Sequence, residues 1–196
     1  MRDWTPERVA AETGARVVAP PPAGAAGPSR VTIDSRSIEP GDLFVGLPGA
    51  RVDGGAFAAG ALAAARRLTG GRLISVFGCG GDRDTDKRPL MGRAGAELSD
   101  IALVTSDNPR SEDPSAIIDQ IREGIPEGPH AEVQIEVDRR RAIAAALGRA
   151  GEGDLVVIAG KGHEQGQEFE NGRKIPFDDR EVALDELRKL KTSAAS

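Results

Sequence analysis

Four short apolar runs, separated by longer amphipathic stretches, dominate the chain after residue 70. They cover 73–77, 101–105, 133–137 and 154–159. Each run ends abruptly in a polar cluster, which is typical of buried parallel strands. The amphipathic stretches predict helices over 87–98, 115–123, 138–150 and 180–190, and Asn171-Gly172 predicts the turn of a small hairpin over 168–176. The pattern indicates an α/β fold with a Rossmann-like, mostly parallel sheet flanked by helices.

The first 67 residues have a different pattern, with shorter elements and many Pro, Gly and Ala residues. They predict an amphipathic helix over 4–13, an alternating strand over 31–36, a second strand over 43–47 and a helix over 56–67. The Pro- and Ala-rich tract over 19–28 predicts a flexible loop. These elements indicate a small α/β domain that precedes the parallel sheet.

The composition narrows the classes of function. The net charge of -5 and the pI near 5.2 argue against a nucleic-acid surface, because Lys and Arg form no block able to neutralise a phosphate backbone. One Cys and two His exclude a disulfide framework and argue against a zinc site made of protein ligands alone. No apolar run approaches the ~18 residues of a membrane span, and Met1 leads into a charged segment rather than a signal peptide. We therefore expect a soluble, cytoplasmic protein with no nucleic-acid or membrane partner.

The polar cluster after the second apolar run contains candidate chemistry. It reads Asp107-Asn108-Pro109-Arg110, and Pro109 fixes the backbone so that the side chains beside it have defined directions. A guanidinium binds a carboxylate bidentately, and an Asp or amide oxygen accepts from an ammonium, so the cluster suits the zwitterionic end of an amino acid. The alternative is that the cluster only leads into the helix capped by Asp113.

Glycines mark the ends of two other strands. The segment 78–84 contains three glycines, which let backbone N–H groups face an anion. Lys161 lies between two glycines, the first of them Gly160, directly after the last apolar run. That arrangement indicates close approach of the backbone to a ligand, and Glu164 offers a carboxylate for an ammonium. No residue of the chain is assigned a catalytic or metal-binding role.

Neither glycine cluster has the spacing of a nucleotide-binding motif. The clusters do not read G-x-G-x-x-G, and the sequence contains no G-x-x-x-x-G-K-[ST] phosphate loop. In the N-terminal part, Ser35 and Arg36 at a strand end and the Gly-rich loop over 48–55 suit a diphosphate or a uracil edge. By spacing alone, the same residues also fit a surface turn.

Taken in order, the clusters resemble the C-terminal domain of Mur ligases, which are enzymes of peptidoglycan synthesis. The matching segments are 77–92, 107–110 and 159–164. The Asp-Asn-Pro-Arg motif is similar to that of members that add meso-diaminopimelate to UDP-N-acetylmuramoyl-L-alanyl-D-glutamate, whereas lysine-adding members differ there. The resemblance implies a meso-diaminopimelate site formed by Arg83, Asp107, Asn108, Pro109, Arg110, Gly160 and Glu164. It favours the amino-acid site over a simple helix start.

Residues 1–66 resemble the UDP-binding domain of the same family, and their detail is closer to the member that adds D-alanyl-D-alanine. The matching segments are 34–36, 40–44 and 49–54. By that likeness, the residues that would contact the UDP-sugar are Ile33, Ser35, Ala50, Arg51 and Val52. The resemblance implies an incomplete UDP-binding-like domain over 1–66, an amino-acid-binding domain over 67–192 and a tail over 193–196.

The family's central ATPase domain, with its phosphate loop, magnesium ligands and carbamylated lysine, has no counterpart in this sequence. In the full-length family, ATP and magnesium support ligation, and the amine of meso-diaminopimelate attacks an acyl phosphate. We expect this chain to bind UDP-N-acetylmuramoyl-dipeptide and meso-diaminopimelate, with no cofactor bound by the chain alone. The alternatives are a non-catalytic remnant or fusion artefact without activity, and a subunit that needs an ATPase domain in trans.

Overall fold

The structure, a computed structural model, describes residues 30–32, 42–44, 54–161 and 164–194. Its N-terminal part contains two short strands, β1 (Arg30–Thr32) and β2 (Asp42–Phe44), which pair in parallel. They overlap the strands predicted over 31–36 and 43–47. The helix predicted over 4–13 and the loop predicted over 19–28 lie outside the described residues.

Four parallel strands form the central sheet. They are β3 (Leu73–Phe77), β4 (Ile101–Val104), β5 (Glu132–Ile135) and β6 (Leu155–Ile158). Their order across the sheet is β5-β4-β3-β6, and Ile74 of β3 lies between Ile101 of β4 and Val156 of β6. The predicted parallel α/β sheet is confirmed, and its strands end within two residues of the predicted ends.

Helices cover both faces of this sheet. They are α1 (Gly54–Leu68), α2 (Lys87–Leu98), α3 (Pro114–Arg122), α4 (Arg139–Arg149) and α5 (Asp179–Ala194). Because successive strand residues point to opposite faces, Leu73 and Phe77 pack with α1, α2 and α3, while Ile74 and Val76 pack with α4 and α5. Burial of this apolar surface on two faces is the main stabilising contribution to the fold.

The first and last helices extend beyond their predicted ends. The last was predicted to end at Leu190 but continues to Ala194, because no Gly or Pro stands between these residues to stop it. The first crosses the domain boundary predicted at residue 66, and its Leu62 and Ala65 lie in the same core cluster as Leu73. The division of the chain at that residue stays a prediction.

The predicted hairpin is present beside the sheet. Its antiparallel strands are β7 (Gly166–Glu168) and β8 (Lys174–Pro176), joined through a turn in which Asn171 and Gly172 have φ values of 59° and 69°. Glu168 at the end of β7 accepts a backbone hydrogen bond from the Arg110 N–H at 3.1 Å. The hairpin therefore lies next to the loop that follows β4.

Candidate functional site

Three loops meet at the carboxyl edge of the sheet, where open α/β folds place ligands. The β3 loop (78–86), the β4 loop (105–113) and the described part of the β6 loop (159–161 and 164–165) follow three neighbouring strands. The first two are joined through the backbone, since the Gly81 N–H donates to the Asn108 carbonyl at 2.8 Å. The second and third are joined by Lys161, whose Nζ donates to Asn108 Oδ1 at 2.8 Å. The sheet order thus brings together clusters that lie far apart in the sequence.

Asn108 is the junction between these loops. Its Oδ1 accepts from Lys161 Nζ and also from the Glu168 backbone N–H, at 2.9 Å. Its Nδ2 donates to Glu164 Oε2 at 2.5 Å. Because the carbonyl side of the amide faces two donors, its orientation is determined, and the amide side is turned toward the Glu164 carboxylate.

Lys161 and Asp107 form the buried floor of the site. The Lys161 side chain is fully buried, with Nζ 3.4 Å from Asp107 Oδ1 and 3.7 Å from Glu164 Oε2. The preceding residue, Gly160, has a φ of 120°, and a Cβ there would lie 2.8 Å from Asp107 Oδ2. Only glycine suits this position, since both the backbone conformation and the contact with the carboxylate disfavour a side chain.

Charges around Asp107 act in opposite directions. Burial raises the pKa of Asp107, while the cations of Arg139 and Lys161 lower it and the Glu164 carboxylate raises it. Arg139 is itself buried and binds Asp179 through two hydrogen bonds of 2.8 and 2.7 Å. The cations of Arg139 and Lys161 thus offset part of the cost of burying the Asp107 carboxylate.

Arg110 is held in an uncommon backbone conformation. Its φ is 52°, which non-glycine residues adopt only rarely and at a cost of about 1 kcal/mol or more. The side chain is one-fifth exposed; its Nη1 donates to the Gly81 carbonyl at 2.7 Å, and its Nε lies 3.4 Å from Glu168 Oε2. Contacts with two neighbouring segments therefore hold this guanidinium at the mouth of the site.

Arg83 lies at the exposed rim of the same region. A Cβ placed on Gly80 would lie 3.6 Å from the Arg83 Cγ and 3.0 Å from the Arg110 Nη1, so the two arginines flank one glycine. Two arginine side chains beside the backbone amides of a glycine-rich loop suit a carboxylate.

The structure brings all seven residues of the predicted amino-acid site into one region. Its members are Arg83, Asp107, Asn108, Pro109, Arg110, Gly160 and Glu164. Their role in binding stays a prediction. The residues predicted to contact a UDP-sugar lie outside the described residues; they are Ile33, Ser35, Ala50, Arg51 and Val52. His163 also lies outside them.

Comparison with known protein families agrees with this arrangement. The family described as "Mur ligase, glutamate ligase domain" matches residues 55–162, more than half of the chain. The chain belongs to the Mur ligase family. A second family, described as "Mur ligase family, catalytic domain", matches residues 29–70. The resemblance drawn from the clusters at the strand ends is confirmed.

Curated relatives include several named UDP-N-acetylmuramoyl-L-alanyl-D-glutamate–2,6-diaminopimelate ligase. The Gloeobacter violaceus protein is 59% identical over 131 residues, which cover 67% of this chain and 26% of that protein. The Streptomyces coelicolor protein is 53% identical over 131 residues, covering 65% of this chain and 26% of the relative. A solved structure of a ligase of the same name is 37% identical, with a TM-score of 0.64, and the match covers 75% of this chain and 33% of that one. The chain thus spans about a quarter of the length of these curated relatives.

Two contributors to this Mur ligase site were not among the predicted residues. The sequence marks Lys161 only through its flanking glycines, although the side chain contacts Asp107, Asn108 and Glu164. A lysine between two glycines at the end of a buried strand was the available signal. Glu168 was predicted to lie in the hairpin, and no sequence pattern indicated that its backbone and side chain would contact the β4 loop.

The described residues offer neither a cluster of metal ligands nor a membrane-spanning helix. No group of three or more His, Cys, Asp or Glu residues in this part of the chain could hold a metal ion. Among the same residues, no helix is long and apolar enough to cross a membrane.

Cys79, the single cysteine of the chain, should react slowly with thiol reagents in the folded protein. Burial raises the pKa of its thiol to about 12, and the nearby Asp107 carboxylate acts in the same direction. At pH 8, reaction with a disulfide reagent should therefore be at least ~100-fold slower than in the urea-unfolded chain, because the thiolate is the reactive form. Equal rates in the two states would contradict this assignment.

Proposed function

We propose that the described part of this chain binds meso-diaminopimelate, as the amino-acid-binding domain of a diaminopimelate-adding Mur ligase. The supporting observation is the junction at Asn108, which connects the loop of Arg110 with the Glu164 carboxylate at the carboxyl edge of the sheet. Curated relatives that are 53 to 59% identical over this part are named for that amino acid.

The proposed roles follow from charge. Arg83 and Arg110 bind a carboxylate of the ligand, because a guanidinium recognises carboxylates bidentately. Glu164 accepts from an ammonium group. Asn108 has two N–H donors, one of which is directed at Glu164; the other is assigned to the ligand carboxylate. Gly160 keeps the space beside Asp107 open.

A titration calorimetry experiment tests the proposal. Meso-diaminopimelate should give saturable heat, and L-lysine, which lacks the second carboxylate, should bind at least about tenfold more weakly, since a hydrogen bond to a charged group contributes roughly 1.5–3 kcal/mol. Arg110→Ala should lose the heat. Arg122→Ala, which removes an exposed arginine from α3 and its ion pair with Asp119, should keep it.

Absence of heat from a wild-type chain shown to be folded by circular dichroism would contradict the proposal. It would favour the alternative of a remnant that keeps the family's sequence without its binding activity. Equal affinities for L-lysine and meso-diaminopimelate would instead contradict the roles given to Arg83 and Arg110.

We further propose that this chain does not catalyse ligation by itself. Mur ligases are ATP-dependent and mostly require magnesium, whereas the 196 residues contain no G-x-x-x-x-G-K-[ST] motif. Among the described residues, no group of three or more His, Cys, Asp or Glu side chains could hold a metal ion. Phosphate release from ATP that depends on both meso-diaminopimelate and UDP-N-acetylmuramoyl-dipeptide would contradict this. Binding of that UDP-sugar and a cytoplasmic location stay predictions.

A further inference from the structure

Two arginines lie on neighbouring loops at the candidate site. Arg83 and Arg110 flank Gly80, one on the β3 loop and the other on the β4 loop. A ligand that contacts both arginines binds best when the two loops are already held in a fixed arrangement. A site that is preformed for an anion therefore needs other contacts that hold the two loops together.

Arg88, the second residue of α2, provides such contacts. Its side chain is fully buried, and its Nη2 donates to the Gly80 carbonyl at 3.2 Å and to Glu112 Oε1 at 2.8 Å. Its Nη1 donates to Glu112 Oε2 and to Gln120 Oε1, each at 2.7 Å. One guanidinium thus joins the β3 loop, the β4 loop and α3.

Glu112 extends the connection to the residues beside the two arginines. Its Oε1 also accepts from the Asp82 backbone N–H at 2.6 Å, and Asp82 has a φ of 52°. The Asp82 carboxylate in turn accepts from the Ser111 hydroxyl at 2.5 Å and from the Ser111 N–H at 3.3 Å. Asp82 directly precedes Arg83, and Ser111 directly follows Arg110. The network therefore contacts both loops one residue away from each arginine.

Burying the Arg88 side chain costs free energy, and packing alone does not explain why an arginine is present at this position. Its Nε is buried, and in the described part of the chain it has no hydrogen-bond partner. Burial of an unpaired N–H is unfavourable, and apolar side chains often replace buried ion pairs without loss of stability. What an apolar side chain does not supply is a planar fork that binds two loops at once.

We propose that Arg88 and Glu112 form a clamp that positions Arg83 and Arg110 for a carboxylate of a diamino diacid. The proposal rests on the proposed function, and it treats both clamp members as positioning residues that do not contact the ligand. Glu112 stays ionised over the working range, because its hydrogen bond to Arg88 lowers the pKa of Glu112 to about 2. The ion pair between Arg88 and Glu112 therefore persists in the folded protein at pH values near neutral.

The substitution Arg88→Lys tests the clamp, because lysine keeps the charge and loses the fork. We expect meso-diaminopimelate to bind roughly tenfold more weakly by calorimetry, and the preference for it over L-lysine to fall. A purely structural role would lower the folded fraction and reduce both affinities alike. Arg72→Lys is the matched control. Arg72 donates two hydrogen bonds to the Asp154 carboxylate at the opposite end of the strands, so this variant should leave affinity and preference unchanged.

A second measurement requires no ligand. Amide hydrogen exchange of Gly81 and Asp82 should become about tenfold faster in Arg88→Lys and stay unchanged in Arg72→Lys. Unchanged exchange together with an unchanged ligand preference would overturn the clamp. If the wild-type chain gives no heat with meso-diaminopimelate, the proposed function fails, and the exchange rates alone decide whether Arg88 holds the two loops.

Discussion

Replacing Lys161 with methionine should destabilise the fold by roughly 3 kcal/mol and abolish binding of meso-diaminopimelate. Methionine fits the volume but leaves the buried Asp107 carboxylate without one of its two cations, and removal of one partner from a buried ion pair costs several kcal/mol. The Asn108 amide also loses one of the two donors that fix its orientation toward Glu164. Urea unfolding measures the first effect and calorimetry the second. Lys174→Met, on an exposed strand, should change stability by less than about 0.5 kcal/mol.

The pH dependence of the stability that Lys161→Met loses identifies the cause of that loss. Burial already raises the pKa of Asp107, and loss of Lys161 raises it further. A carboxyl group whose folded-state pKa lies above its unfolded value destabilises the fold when ionised, and this cost is relieved as the pH falls through the folded pKa. The stability deficit of Lys161→Met should therefore be smaller at a mildly acidic pH than at about pH 8.

A double variant separates charge from packing. Adding Asp107→Asn to Lys161→Met removes both charges, so a large part of the lost stability should return while binding stays absent. A deficit that is the same at both pH values and in the double variant would mean that Lys161 stabilises by packing alone.

The strands and helices of the C-terminal part were predictable because their signals are local. Leu73 to Phe77 is apolar at nearly every position and buried on both faces, so no partner information was needed to place β3. Asp113 caps α3 by accepting a hydrogen bond from the Ser115 backbone N–H, and Asp138 caps α4 by accepting from the Arg141 backbone N–H, as short-range patterns indicated. The largest error was at the end of α5, which continues four residues past the predicted end, since a sequence without Gly or Pro gives no stop signal.

The contacts within the site were predictable only in part. Strand-end clusters indicated which loops would meet, because parallel strands place their carboxyl ends at one edge. The buried arginines Arg88 and Arg139 carried no such signal, since an arginine in an amphipathic helix normally lies on the exposed face. Their partners Glu112 and Asp179 lie 24 and 40 residues away, and only the folded chain pairs them.

Replacing Gly81 with alanine should destabilise the fold by about 2–3 kcal/mol and weaken binding of meso-diaminopimelate more than tenfold. A Cβ at this position would lie 1.9 Å from the Pro109 carbonyl oxygen and 2.7 Å from the Pro109 carbonyl carbon, which are backbone atoms and not the end of a flexible side chain. The β3 and β4 loops must separate to accommodate it, at an overpacking cost of this size. The Gly81 N–H would then lose its bond to the Asn108 carbonyl, and the Arg110 Nη1 its bond to Gly81.

Gly148→Ala provides the matched control for this prediction. Gly148 lies in α4, and a Cβ added there would meet no heavy atom within 4 Å, so alanine should leave binding unchanged and raise stability by up to about 0.5–1 kcal/mol through helix propensity. Thermal and urea unfolding of both variants, followed by calorimetry at a temperature where both are folded, compares the two sites. If Gly81→Ala kept wild-type affinity and stability, the two loops would not be in contact at Pro109. That result would also contradict the proposed site, which needs Arg83 and Arg110 on loops that are held side by side.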